Sequence, residues 1–87
     1  MPKPIQLVLY GRGNCHLCDV AKAELLRIRR SLPFEIEIVE RDVDTDPDWR
    51  NVYGDEVPVG MIDNRKIFKY RVDPDRLRAA LISRSVD

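Results

Sequence analysis

A short apolar run, IQLVLY (Ile5 to Tyr10), is cut by Gly11 and Gly13, and the chain's two cysteines, Cys15 and Cys18, open the helical repeat that follows. Aliphatic and β-branched residues bounded by glycine read as a buried strand. Beyond the cysteines Leu17, Ala21, Leu25, Ile28 and Leu32 recur at steps of three or four, until Pro33 ends the pattern. Asp19, Lys22, Arg27, Arg29 and Arg30 fill much of the remainder, so the segment is predicted to be an amphipathic helix.

The rest of the chain divides as clearly. Phe34, Ile36 and Ile38 alternate with Glu35 and Glu37 over Phe34 to Glu40, the period of a half-exposed strand. Asp46 as a cap, Pro47 at a first helical position and Gly54 as a stop predict a short helix that buries Trp49, Val52 and Tyr53. Val57 to Ile62 and Lys66 to Tyr70 flank the polar turn Asp63-Asn64-Arg65 and predict a hairpin. Asp73 and Pro74 then open a last amphipathic helix carrying Leu77, Ala80, Leu81 and Arg84. The order β-α-β-α-β-β-α begins with a right-handed βαβ crossover and ends with a hairpin added to the same sheet. The expected fold is therefore α/β: one mixed four-stranded sheet flanked by helices, in a single domain spanning residues 1–87.

With 44% apolar and 34% charged residues, the chain has enough apolar material for a core. Fifteen basic and fifteen acidic side chains cancel, so no global field draws in nucleic acid or an anionic membrane. The opening MPKPIQLVLYG has no apolar h-region, and no run approaches a membrane span. The expected compartment is cytoplasmic and the expected state a monomer. Thiols are kept reduced there, which makes a close cysteine pair more plausible as a reactive or metal-binding group than as a static crosslink.

A strand, a turn and C-x-x-C opening a helix beside a βαβ pattern form the context of a thioredoxin-like redox motif. Residues i and i+3 share a helical face, so the two sulfurs can close a disulfide with little backbone movement. Cys15 falls at the helix N-terminus, where unpaired N–H groups favour negative charge, and is expected to attack; Cys18, one turn deeper, is expected to resolve. Arg12 adds positive charge in the same turn. Three alternatives stay open: metal bound by Cys15, Cys18 and His16, an iron–sulfur cluster shared between two chains, and an inert pair. Other patterns fail. Gly11 and Gly13 begin a phosphate loop whose third glycine is His16, and Asp42, Asp44 and Asp46 have calcium-loop spacing but meet Pro47 where glycine is required. His16 reads as a solvent-facing helix residue.

The stretch LYGRGNCHLC resembles the YxKxxCPYC start of glutaredoxins, and DVDTDPDWRNVYGDEVPVGMIDNRKIF is similar to their strand, short-helix and TVPxxFIxGxxI region. CHLCDVA is similar to the active site of a bacterial glutaredoxin-like group with a CxLCD pattern. The resemblance covers most of the chain and implies a thioredoxin-like fold with thiol–disulfide oxidoreductase activity at Cys15 and Cys18. It also implies a cis Val57–Pro58 bond facing the cysteines, with Val57 and Pro58 binding substrate by strand-like hydrogen bonds. Arg12 matches the family's basic residue that meets a glutathione carboxylate. No tightly bound cofactor or metal is implied, glutathione being a co-substrate. Three departures stand out: His16-Leu17 replaces Pro-Tyr, the Gly-Gly and following Asp of the glutathione site are missing from KYRVDPDRL, and Glu56 replaces the threonine before VP. The expected partners are a disulfide-containing protein or a glutathione mixed disulfide, with glutathione or a reductase as electron donor. The rival from another class is a non-catalytic thioredoxin-like binding module or a cluster-holding scaffold.

Overall fold

The computed structural model describes residues 3–86. Along the chain lie β1 (Ile5–Gly11), α1 (His16–Ser31), β2 (Ile36–Asp42), a 3₁₀ turn (Val43–Thr45), α2 (Pro47–Tyr53), β3 (Val59–Ile62), β4 (Arg65–Lys69) and α3 (Pro74–Ser85). The strands form one mixed sheet in the order β2-β1-β3-β4. β1 runs parallel to β2 and antiparallel to β3, and β3 is antiparallel to β4. This is the α/β arrangement expected from the sequence, with one added 3₁₀ turn and altered strand ends. β2 starts at Ile36, not Phe34, and continues to Asp42 because pairing with β1, from Ile5 opposite Ile36 to Gly11 opposite Asp42, sets its length. Its apolar alternation stops earlier than its hydrogen bonding.

The two faces of β1 build two cores, as the period-2 alternation of a strand requires. Ile5, Leu7 and Leu9 join Leu25, Ile28, Leu77 and other residues of α1 and α3 on one side. Tyr10 joins Val43 and Val59 on the other, with Trp49 and Tyr53 of α2 packed against them. Full burial of each such aliphatic side chain contributes about 1.5–3 kcal/mol. α1 turns Cys18, Ala21, Leu25 and Ile28 inward, while Leu17, at the edge of that stripe, is 38% exposed.

α2 is less buried than expected: Trp49 and Tyr53 are half-buried and Val52 is exposed. The Tyr10 ring stacks on Tyr53 with centroids 4.1 Å apart and meets Trp49 edge-on at 5.8 Å, but Val52 is 63% exposed. Seven residues give this helix one line of contact, Trp49 to Tyr53, and Val52 falls off it. The Arg41 guanidinium lies over Tyr10 and Trp49 and donates to the Tyr10 hydroxyl at 2.8 Å, closing the cluster.

Capping follows the sequence closely. Asp46 accepts from the N–H groups of Asp48 and Trp49 ahead of α2, and Asp73 accepts from Arg76 ahead of α3, with Pro47 and Pro74 in the first helical turn. Caps of this kind contribute about 1 kcal/mol each. Asp63 and Asn64, both at positive φ, form a two-residue turn, so Arg65 already belongs to β4.

Candidate active site

Cys15 is the N-cap of α1. Its backbone is extended (φ −112°, ψ 105°), and its Sγ accepts the Cys18 N–H at 3.2 Å, the position a serine or threonine oxygen takes in an ordinary cap. Its carbonyl accepts from the Asp19 N–H, so the helix begins at the sulfur itself. The two cysteines are joined as a disulfide with Cα atoms 5.2 Å apart. Cys18 is buried and Cys15 half-buried. The preceding turn is formed by Gly13 and Asn14, and its left-handed residue is Asn14, at φ 55°, since neither glycine takes a positive φ. Gly11 serves another purpose: a Cβ there would sit 3.2 Å from Cys18 Sγ, so its missing side chain is the room into which the second sulfur packs.

Tyr10 pairs with Val59, so the chain leaving β1 toward Arg12 and the chain entering β3 from Val57 and Pro58 lie at one end of the sheet. The Val57–Pro58 bond is cis. Pro58 is buried, and its carbonyl accepts from the Tyr70 N–H at 2.9 Å. Among the described residues, none hydrogen-bonds the backbone N–H or carbonyl of half-buried Val57.

Arg12 connects these two loops. Its guanidinium donates to both carboxylate oxygens of Asp44, at 3.2 and 3.3 Å, and to the Gly54 carbonyl at 3.2 Å. Arg50 also reaches the Asp44 carboxylate, at 3.3 Å. Any glutathione carboxylate meeting Arg12 would compete with this pairing. The Arg12 hydrogen bonds, opposed by some desolvation and aided by Arg50, hold the Asp44 carboxyl below its usual range. A lowered carboxylate pKa stabilises the fold above the unfolded value of about 3.8, and that stabilisation is lost as the pH falls through the lower folded value. Asp44→Asn is accordingly expected to unfold more easily than the wild type at pH 7, and the gap should close as the pH falls below the unfolded value and through the lowered folded one, measured by denaturant titration across the acid range.

Glu56, where the resemblance has threonine, is not a bare carboxylate. Lys66 and Lys69 both bond it, the latter at 3.3 Å, and the Lys66 hydrogen bond is the largest cause of its lowered pKa. His16 is exposed, and among the described residues no three His, Cys, Asp or Glu side chains gather as a metal site. Nor is any described helix long and apolar enough to cross a membrane. The Arg12–Asp44 and Glu56–lysine contacts span distant parts of the sequence and leave no local signal. The aspartates with calcium-loop spacing divide differently: Asp42 accepts from the Asp44 N–H, Asp44 binds arginines and Asp46 caps α2.

Comparison with known proteins agrees with this geometry. The family described as Glutaredoxin-like domain (DUF836) matches residues 6–82. The Glutaredoxin-like protein YDR286C homolog of Dictyostelium discoideum is 34% identical over 79 residues, covering 86% of this chain and 73% of that protein. The solution structure of protein Ne2328 from Nitrosomonas europaea matches with a TM-score of 0.75 and 31% identity, over 93% of this chain and 95% of that one. Mitochondrial thioredoxin 3 of Saccharomyces cerevisiae, at 18% identity, shares the fold with a TM-score of 0.66, over 90% and 76% of the two chains. A thioredoxin-like sheet, a cysteine pair at the start of α1 and a family match over nearly the whole length together mean that the chain belongs to the glutaredoxin-like family.

Proposed function

We propose that this chain is a thiol–disulfide oxidoreductase in which Cys15 attacks and Cys18 resolves. The observation that carries the reading is the Cys15 sulfur at the N-cap of α1, accepting an N–H and facing the positive end of the helix, an arrangement that stabilises negative charge on sulfur. The Cys15 thiolate attacks one sulfur of a substrate disulfide; a Cys15–substrate bond forms, the substrate S–S bond breaks, and the leaving thiolate takes up a proton. Cys18, losing its proton, then attacks Cys15 Sγ, closing the Cys15–Cys18 bond and releasing the second substrate thiol. Two electrons pass to the substrate, and glutathione or a thiol reductase returns them.

Val57, with its free backbone N–H and carbonyl, would pair with an extended substrate segment beside the cysteines. Arg12 acts as a positioning residue, holding the cysteine turn to the 3₁₀ turn through Asp44 and to the segment before Val57 through the Gly54 carbonyl. The reaction needs no resident cofactor and suits a monomer in a reducing, cytoplasmic setting.

The test supplies the reduced protein with a glutathione mixed disulfide plus glutathione and its reductase, and separately with a protein disulfide plus thioredoxin reductase. Turnover with either donor, with a reversible Cys15–Cys18 disulfide detected by mass, is the expected result. Unreactive cysteines in both assays would favour the non-catalytic scaffold, and visible absorption after anaerobic reconstitution would favour a shared iron–sulfur cluster.

A further inference from the structure

Beside the first two turns of α1 runs an apolar groove of about 410 Å³, walled by Leu17 and Val20 on the helix and by Tyr70 and Val72 on the segment between β4 and α3. It begins at His16, the residue after Cys15. Leu17 is 38% exposed, Val20 52% and Tyr70 46%, and together they form a contiguous apolar patch along the helix that Cys15 opens, the kind of surface that marks a binding site.

Tyr70 is held there against its own preference. Its φ is +67°, a region that side chains other than those of glycine, asparagine and aspartate seldom enter. The Arg71 N–H bonds the Lys69 carbonyl at 2.8 Å, which makes Tyr70 the centre of a tight three-residue turn. Its own N–H is shared between the carbonyls of Glu56 and Pro58, at 3.2 and 2.9 Å. The aromatic wall of the groove is thereby tied by its backbone to the loop that carries Val57. Backbone strain of this kind persists where the surroundings impose it, and it concentrates at binding sites.

Charge narrows the choice of occupant. Arg71 lines the groove and has no ion pair among the described residues, whereas Glu24 is already paired with Arg27. Three cations nearer the Val57 loop are engaged within the fold: Arg12 by Asp44, and Lys66 and Lys69 by Glu56. The opening therefore suits an apolar side chain followed by a carboxylate, and the engaged cations offer less to a small anionic thiol.

We propose that this groove binds the residues flanking the target cysteine of a protein disulfide, taking an apolar side chain between Val20 and Tyr70 with an acidic neighbour at Arg71. The inference rests on the redox reading above and names its substrate class.

The probe is a short peptide, Ser-Glu-Leu-Cys-Ser, whose cysteine carries thionitrobenzoate as a mixed disulfide. Attack by Cys15 on the peptide sulfur forms the Cys15–peptide bond, breaks the existing S–S bond and releases coloured thionitrobenzoate; a Cys18→Ser background stops the reaction there. The leucine peptide is expected to react about tenfold faster than its Leu→Ser counterpart, the scale of partly burying one aliphatic side chain. Replacing its glutamate with lysine should slow it about threefold, the scale of an exposed ion pair. Val20→Ser, at an exposed position, and Tyr70→Asn, which tolerates the positive φ, should each reduce the leucine preference to about twofold. Equal rates for the leucine and serine peptides, a preference that survives both variants, or faster reaction of the glutathione mixed disulfide would each overturn the groove while leaving the redox chemistry standing. Reaction of every disulfide no faster than with free cysteine would overturn the oxidoreductase reading and the groove with it.

Discussion

Cys15→Ser is expected to lower disulfide reduction by more than about 10³-fold while leaving the protein folded, the scale seen when an enzyme's nucleophile is removed. A serine hydroxyl stays protonated at neutral pH and forms no disulfide, so both the attack and the mixed intermediate are lost. Serine is also among the best N-cap residues, and its oxygen can accept the Cys18 N–H that the sulfur accepts now. Loss of α1 is therefore a poor explanation for any loss of rate, and the substitution reads chemistry. Cys18→Ser should fail differently. The first attack survives, resolution does not, and the protein should accumulate as a one-to-one adduct with substrate, visible by intact mass without reductant. Initial rates and adduct masses for both variants decide the matter: wild-type turnover in each, or identical adducts from each, would sink the assigned order of attack.

How far the sequence leads can be judged from the same residues. Cys15 at the head of a helix was legible because cap, apolar period and glycine-bounded strand are local signals within twenty or so residues of one another. Asp46-Pro47 and Asp73-Pro74 marked the other helix starts for the same reason. What depended on the third dimension was not legible. The buried Val43 and its 3₁₀ turn, the exposure of Val52 and the end of β2 all follow from how segments meet across the sheet. Arg12 stands three residues before Cys15 in the chain, but its partner Asp44 is brought to it only by the parallel pairing of β1 with β2. Tyr70 read as the last residue of a strand; its positive φ arises because its N–H turns to the carbonyls of Glu56 and Pro58.

Gly60 shows the same divide and carries the largest stability effect expected here. Within VPVGMI it looks like an ordinary, slightly weak strand residue. In the sheet it lies opposite Phe68, and a Cβ at Gly60 would overlap the Phe68 ring. Phe68 is itself buried against the α1 and α3 side of the core, so the ring has nowhere to retreat without disturbing Leu77 and Leu81 or opening the pairing of β3 with β4. Gly60→Ala is thus expected to cost about 3 kcal/mol, at the upper end for overpacking, and to lower the melting temperature by about 12–24 °C for a domain of this size. Because β3 continues directly from Val57 and Pro58, the damage should reach the active end of the sheet as well. The mechanism makes a sharper claim than the size of the loss. If the ring is the obstacle, removing it must relieve the methyl: the double variant Gly60→Ala with Phe68→Leu should be less destabilised than the sum of its parts by about 1–2 kcal/mol, read from a double-mutant cycle in denaturant. Additive losses would mean that Gly60 is required for its backbone alone, at the irregular register between Gly60 and Met61, and not for the space it leaves to Phe68.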